Sequence, residues 1–132
     1  MEIRKFSKIA RMQDGAIWGK FLIQLCADGQ CIVYDMDQME NPEECPQVFS
    51  RFSLDKSDLI CPHSNAVVFG SEYYESGDEF PLLYSNIYNN YAREADKMIG
   101  TCCVYRIQRQ GHVFQSTLVQ LIQVGFVDDG VL

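Results

Sequence analysis

Four short apolar segments in the first half of the chain recur, in the same order, in the second half. Ala16-Ile17-Trp18-Gly19 is echoed by Val67-Val68-Phe69-Gly70, and Phe21-Leu22-Ile23 by Phe80-Pro81-Leu82-Leu83-Tyr84. Cys31-Ile32-Val33-Tyr34-Asp35-Met36 is echoed by Cys102-Cys103-Val104-Tyr105-Arg106-Ile107, and Val48-Phe49 by Val113-Phe114. An ordered recurrence of this kind commits a chain to one supersecondary unit used twice. The first unit runs over residues 13–54 and the second over 64–124, lengthened by two loop insertions.

By composition the repeated segments are β-strands, rich in β-branched and aromatic residues and bounded by Gly, Asp, Asn or Pro. The predicted strands are 16–18, 21–25, 31–34, 48–54, 66–69, 80–84, 102–107 and 113–124. Hairpin turns are expected at Ala27-Asp28-Gly29-Gln30 and at Gln110-Gly111, where glycine supplies a positive φ. The 113–124 run has apolar residues on both faces, which predicts a strand sandwiched between layers. Only Asn90 to Met98 reads as helical.

Short antiparallel strands in fours, repeated at ~40–50 residues, describe β-propeller blades. A blade cannot cover its own faces and needs neighbours. The predicted fold is therefore all-β: one domain, 1–132, of two four-stranded antiparallel propeller-like blades. A single eight-stranded β-barrel is the alternative at this length. Gly15, Ala16 and Ala66 suit the crowded propeller axis, and Trp18 is expected to be buried between the sheets. Three stretches resemble blade motifs of a group of uncharacterised bacterial β-propeller proteins: Gln13 to Gly19, Pro62 to Gly70, and Glu79 to Asn86. The resemblance covers most of the chain. It implies the architecture and brings no catalytic residues with it.

Closed propellers use ~4–8 blades, and this chain holds about two. It is expected to be either the amino-terminal piece of a longer protein or a unit whose copies close a ring. The expected partners are thus the remaining blades or a second copy. Arg4 to Met12 alternates weakly through Phe6, Ile9 and Met12 and is basic, which predicts a strand pairing with the last blade.

Eighteen Asp plus Glu against eleven Lys plus Arg give a net charge of −7. That argues against a nucleic-acid partner, whose binding depends on neutralised phosphates. No apolar run approaches the ~18 residues of a membrane span. Met1 to Gln13 lacks the ~7–15-residue apolar core of a secretory signal. The chain reads as cytoplasmic, with no membrane partner. In that compartment Cys26, Cys31, Cys45, Cys61, Cys102 and Cys103 read as reduced thiols. No Cys-x-x-Cys occurs, and neither His63 nor His112 has a second ligand at zinc-finger spacing, so no metal or cofactor is expected.

Propeller geometry places the loop before each first strand and the loop after the second strand on one end. In the second unit that end collects His63, Asn65, Asn86, Tyr88, Asn89 and Tyr91. Amides and flat phenol rings suit a small polar ligand, a glycan or a protein surface. Asparagines also fill turns, and His63 is equally placed to cap one. The acidic loop Ser71 to Glu79 and the run Asp35 to Glu44 read as solvated. Asp14 and Asp96 are the carboxylates that a glycosidase reading invokes, and Cys61 and His63 the pair for a thiol nucleophile. The functional expectation is a binding or scaffold module with no catalytic residue assigned. The alternative is part of a carbohydrate-active enzyme of glycoside-hydrolase type on a fuller propeller.

Overall fold

The computed structural model describes residues 1, 3, 12–39, 41, 45–60, 63–89, 93, 95 and 97–124. The strand expected over Arg4 to Met12 and the helix over Asn90 to Met98 lie largely outside these residues, as do Cys61, Tyr91 and Asp96.

Two four-stranded antiparallel sheets form, each a simple meander. Sheet A carries β1 (Asp14–Trp18), β2 (Phe21–Leu25), β3 (Gln30–Asp35) and β4 (Ser50–Ser53). Sheet B carries β5 (Val67–Phe69), β6 (Leu83–Asn86), β7 (Thr101–Gln110) and β8 (Val113–Gln123). A one-turn helix, α1 (Ser57–Ile60), follows β4 and was not foreseen from the sequence. The described residues form an all-β fold with no closed barrel, so the single-cylinder alternative does not apply.

The sheets stack with β1 against β5 and β4 against β8. β1 and β5 run in the same direction. Asp14 meets Val67 at their starts, and the Trp18 and Phe69 rings lie 6.2 Å apart at their ends. Between the sheets, Phe21, Ile23, Leu25, Cys31, Val33 and Phe52 of sheet A face Leu83, Cys103, Tyr105, Ile107 and Phe114 of sheet B. Phe114 is the hub, with ring centroids 5.4 Å from Phe21, 5.7 Å from Phe80 and 5.9 Å from Phe52. Edge and offset contacts of this kind add to the gain from area burial alone.

Several local expectations shift for physical reasons. Phe80 is 1% exposed in the core but precedes β6, because Pro81 cannot donate to a strand ladder. The second hairpin closes on Gln110 paired with Val113, one residue later than expected, with Gly111 at φ +60 opening the turn. Trp18 is 36% exposed rather than buried between the sheets. It sits at the end of β1, where Ala16 already fills the inward position, and its indole Nε1 donates to the Glu79 carbonyl at 3.1 Å. Among the described residues β8 ends the order of its sheet and is exposed at Val113, Gln115, Thr117, Gln120, Leu121 and Gln123, so it is not sandwiched between layers. A β-bulge opposite Val104/Tyr105 changes its phase, so Phe114 and Leu118 face the core before it and Leu121 shares the core side after it. That slip produces the two-sided apolar pattern in the sequence.

Candidate functional site

The starts of β1 and β5 and the end of β6 converge at one end of the sheet pair. Asparagines organise the segment leading into β5. Asn86 Nδ2 donates to Asn65 Oδ1 at 2.6 Å, while Asn86 Oδ1 accepts from the backbone N–H groups of Asn65 (3.1 Å) and Ala66 (3.0 Å). Ser64 Oγ donates to the Asn86 carbonyl at 2.8 Å, and Ser85 Oγ to the Ala66 carbonyl at 3.0 Å. Asn89 is buried and accepts from the Met98 N–H at 2.9 Å. These amides therefore hold loops together, as Asn side chains do when they stand in for backbone partners.

Of the residues picked out by sequence, Asn65 and Asn86 are brought into direct contact, whereas Asn89 bonds a different loop. Tyr88 is 42% exposed. His63 is half-buried and holds φ +39, in the left-handed region that side chains other than glycine rarely adopt. A shallow cleft of about 260 Å³ lies nearby, lined by Asp14, Ala66, Val68, Tyr84, Asn86 and Cys102. Among the described residues no group of three or more His, Cys, Asp or Glu is placed to hold a metal ion. No described helix is long and apolar enough to cross a membrane.

Sequence reasoning missed how Asp14 of β1 and Asp55, just past β4, bond the outermost described strands of sheet B. Asp14 Oδ2 accepts from the Val67 N–H of β5 at 2.8 Å. Asp55 Oδ2 accepts from the Leu118 N–H of β8 at 2.9 Å. Ser116 Oγ reinforces the second bond, donating to the Ser53 carbonyl and accepting from the Asp55 N–H, both at 2.8 Å. At the opposite end of that seam His112 stacks on Phe49 with centroids 4.1 Å apart. Single carboxylates aimed at a strand edge leave no periodic trace in a sequence.

The acidic loop at the far end is not simply solvated. Asp78 forms a two-point pair with Arg106 of β7, at 2.8 and 3.0 Å, and Glu75 adds a contact at 3.2 Å. The Tyr74 ring covers the same guanidinium at 4.8 Å, and Glu79 forks onto Arg109. Bonding from Arg106 holds the Asp78 carboxyl below its usual range and pushes the Arg106 guanidinium up. The sequence clue was Arg106 and Arg109 on the strand that faces four acids.

The five described cysteines are free thiols. Burial pushes the Cys31, Cys102 and Cys103 thiols up, away from the reactive thiolate. No protein-family model, curated protein or solved structure matches the chain.

Proposed function

We propose that the chain is a binding or scaffold module of two propeller-like blades, and that its His63–Tyr88 end receives a small polar ligand such as a glycan. The blade reading is supported by how the sheets stack. Strand order and direction are the same in both, the relation a rotation about an axis along the strands produces. Such a rotation turns the face of sheet A that meets sheet B into the face of sheet B that points away. Among the four echoes the third behaves accordingly: Val33 faces sheet B while Val104 turns away from sheet A, and Tyr105 faces inward where Tyr34 does not. The first and fourth do not, since Ala16 and Val67, and likewise Phe49 and Phe114, pack into the same core.

The observation that carries the ligand reading is His63. A non-glycine residue in the left-handed region costs about 1–2 kcal/mol, and strain of this kind concentrates at functional positions. The Asn65–Asn86 clamp next to it fixes the loop, which lowers the ordering cost of binding. Tyr88 offers an exposed ring face for stacking.

A glycan array on the purified chain, followed by titration of the best hit, tests this. His63→Gly is expected to raise stability by about 1 kcal/mol while weakening binding, and Tyr88→Ala to weaken binding at unchanged stability. A hit whose affinity neither variant changes, or an array without hits, counts against the site. Release of product from any glycoside overturns the non-catalytic reading.

A further inference from the structure

Trp18, the only tryptophan of the chain, ends β1 beside the acidic loop between β5 and β6. Its indole N–H is pinned to the Glu79 carbonyl at 3.1 Å and its ring leans on Phe69 at 6.2 Å, yet the residue is 36% exposed. Tyr73 of the loop meets that ring edge-on, at 6.3 Å and 75°, and is itself 43% exposed. Both rings lie well inside the unbroken described stretches 12–39 and 63–89. Large rings held in place at a surface bind at little ordering cost.

The same loop shows what such groups take. Glu72-Tyr73-Tyr74-Glu75 reads the same in both directions. Its second half holds a guanidinium: the Tyr74 ring covers Arg106 at 4.8 Å and Glu75 meets it at 3.2 Å, beside Asp78. The first half offers the same ring and carboxylate, with Trp18 as a second ring. Among the described residues no cation pairs with Glu72 or lies over Tyr73. Across the loop the carboxylates of Glu75, Asp78 and Glu79 are paired with Arg106 and Arg109, and that of Glu72 is left over. The surface around the exposed rings therefore keeps an excess of negative charge.

We propose that the Trp18–Tyr73 ring pair, with Glu72, receives an arginine side chain of a partner protein. A guanidinium is weakly hydrated, stacks on aromatic faces and forks onto carboxylates, whereas a lysine ammonium is a compact, strongly hydrated charge. The local excess of carboxylates selects a cationic side chain over a neutral or acidic one. Trp18 lies at the opposite end of β1 from Asp14, so this inference does not rest on the ligand reading at the His63 end.

Because Trp18 is the sole tryptophan, its emission reports on the site directly. The purified chain is titrated with acetyl-Gly-Arg-Gly-amide and with its lysine and citrulline counterparts, citrulline being the neutral near-isostere of arginine. The arginine peptide is expected to change Trp18 emission saturably, with a dissociation constant on the order of millimolar. Tyr73→Ala and Glu72→Gln are each expected to weaken that binding roughly threefold or more at unchanged thermal stability. Asp28→Asn, which removes a charge from the β2–β3 turn at the other end, is expected to leave it unchanged. Absence of a saturable response to the arginine peptide overturns the proposal, as does equally tight binding of the lysine or citrulline peptide. So does binding that both loop variants leave intact, or that Asp28→Asn weakens as much as they do.

Discussion

At the scale of single residues, the tightest steric position is Gly70, which ends the second first-strand motif. A Cβ there meets Tyr84 Cε2 at 2.6 Å, closer than packed atoms come. Gly70→Ala is expected to cost about 1–3 kcal/mol, read as a lowered urea midpoint at unchanged slope. Tyr105 points the other way. It is fully buried and, among the described residues, its hydroxyl has no hydrogen-bond partner of good geometry, with the Cys103 thiol as a weak polar neighbour. Tyr105→Phe removes the desolvated group at nearly constant shape, so stability is expected to hold or rise by up to ~1 kcal/mol. Thiols sort by burial as well: labelling located by mass spectrometry is expected to reach exposed Cys45 early and Cys31 and Cys103 only on unfolding. At this scale the residue types of the candidate end were legible and their roles were not. Asn65 and Asn86 were chosen for amides that could meet a ligand, yet those amides meet each other, and composition alone does not distinguish the two uses.

At the scale of elements, the loop between β5 and β6 behaves as a strap tied to β7. Its lock is Asp78 on Arg106, with side chains 11% and 18% exposed. Since the folded Asp78 titrates below the usual carboxyl value of ~3.9, the lock is at full strength above that value. As pH falls, the unfolded chain takes up this proton first, and the contribution is lost as pH drops through the folded value. Amide exchange over residues 72–79 is therefore expected to accelerate on acidification, and Asp78→Asn to show that faster exchange already at neutral pH. Equal protection in the two proteins at neutral pH counts against the strap. Strand existence was legible here because every strand draws on β-branched and aromatic residues between turn formers. The start of β6 and the facing of β8 were not, since Pro81 delays the first and a bulge reverses the phase of the second.

At the scale of the molecule, the question is what makes two meanders one cooperative body. Apolar contact between the sheets resists separation but tolerates sliding, because aromatic rings pack acceptably in several registers. Asp14 and Asp55 remove that freedom: Asp14 of β1 accepts from the Val67 N–H of β5, and Asp55, two residues past β4, accepts from the Leu118 N–H of β8 on the other side of sheet B. Asp14→Ala and Asp55→Ala are each expected to lower stability by about 1–3 kcal/mol through the unpaired amide. The two bonds lie on opposite sides of sheet B and share no partner, so the losses are expected to add in the double variant within about 0.5 kcal/mol. Cooperativity is the sharper readout. The wild-type chain is expected to unfold in one transition, and the double variant to broaden, with protection of β2 and β3 parting from that of β6 and β7 in hydrogen exchange. If the doubly substituted chain still unfolds as one unit at the summed loss, the Phe114-centred core alone couples the sheets, and the carboxylates contribute stability without setting the register.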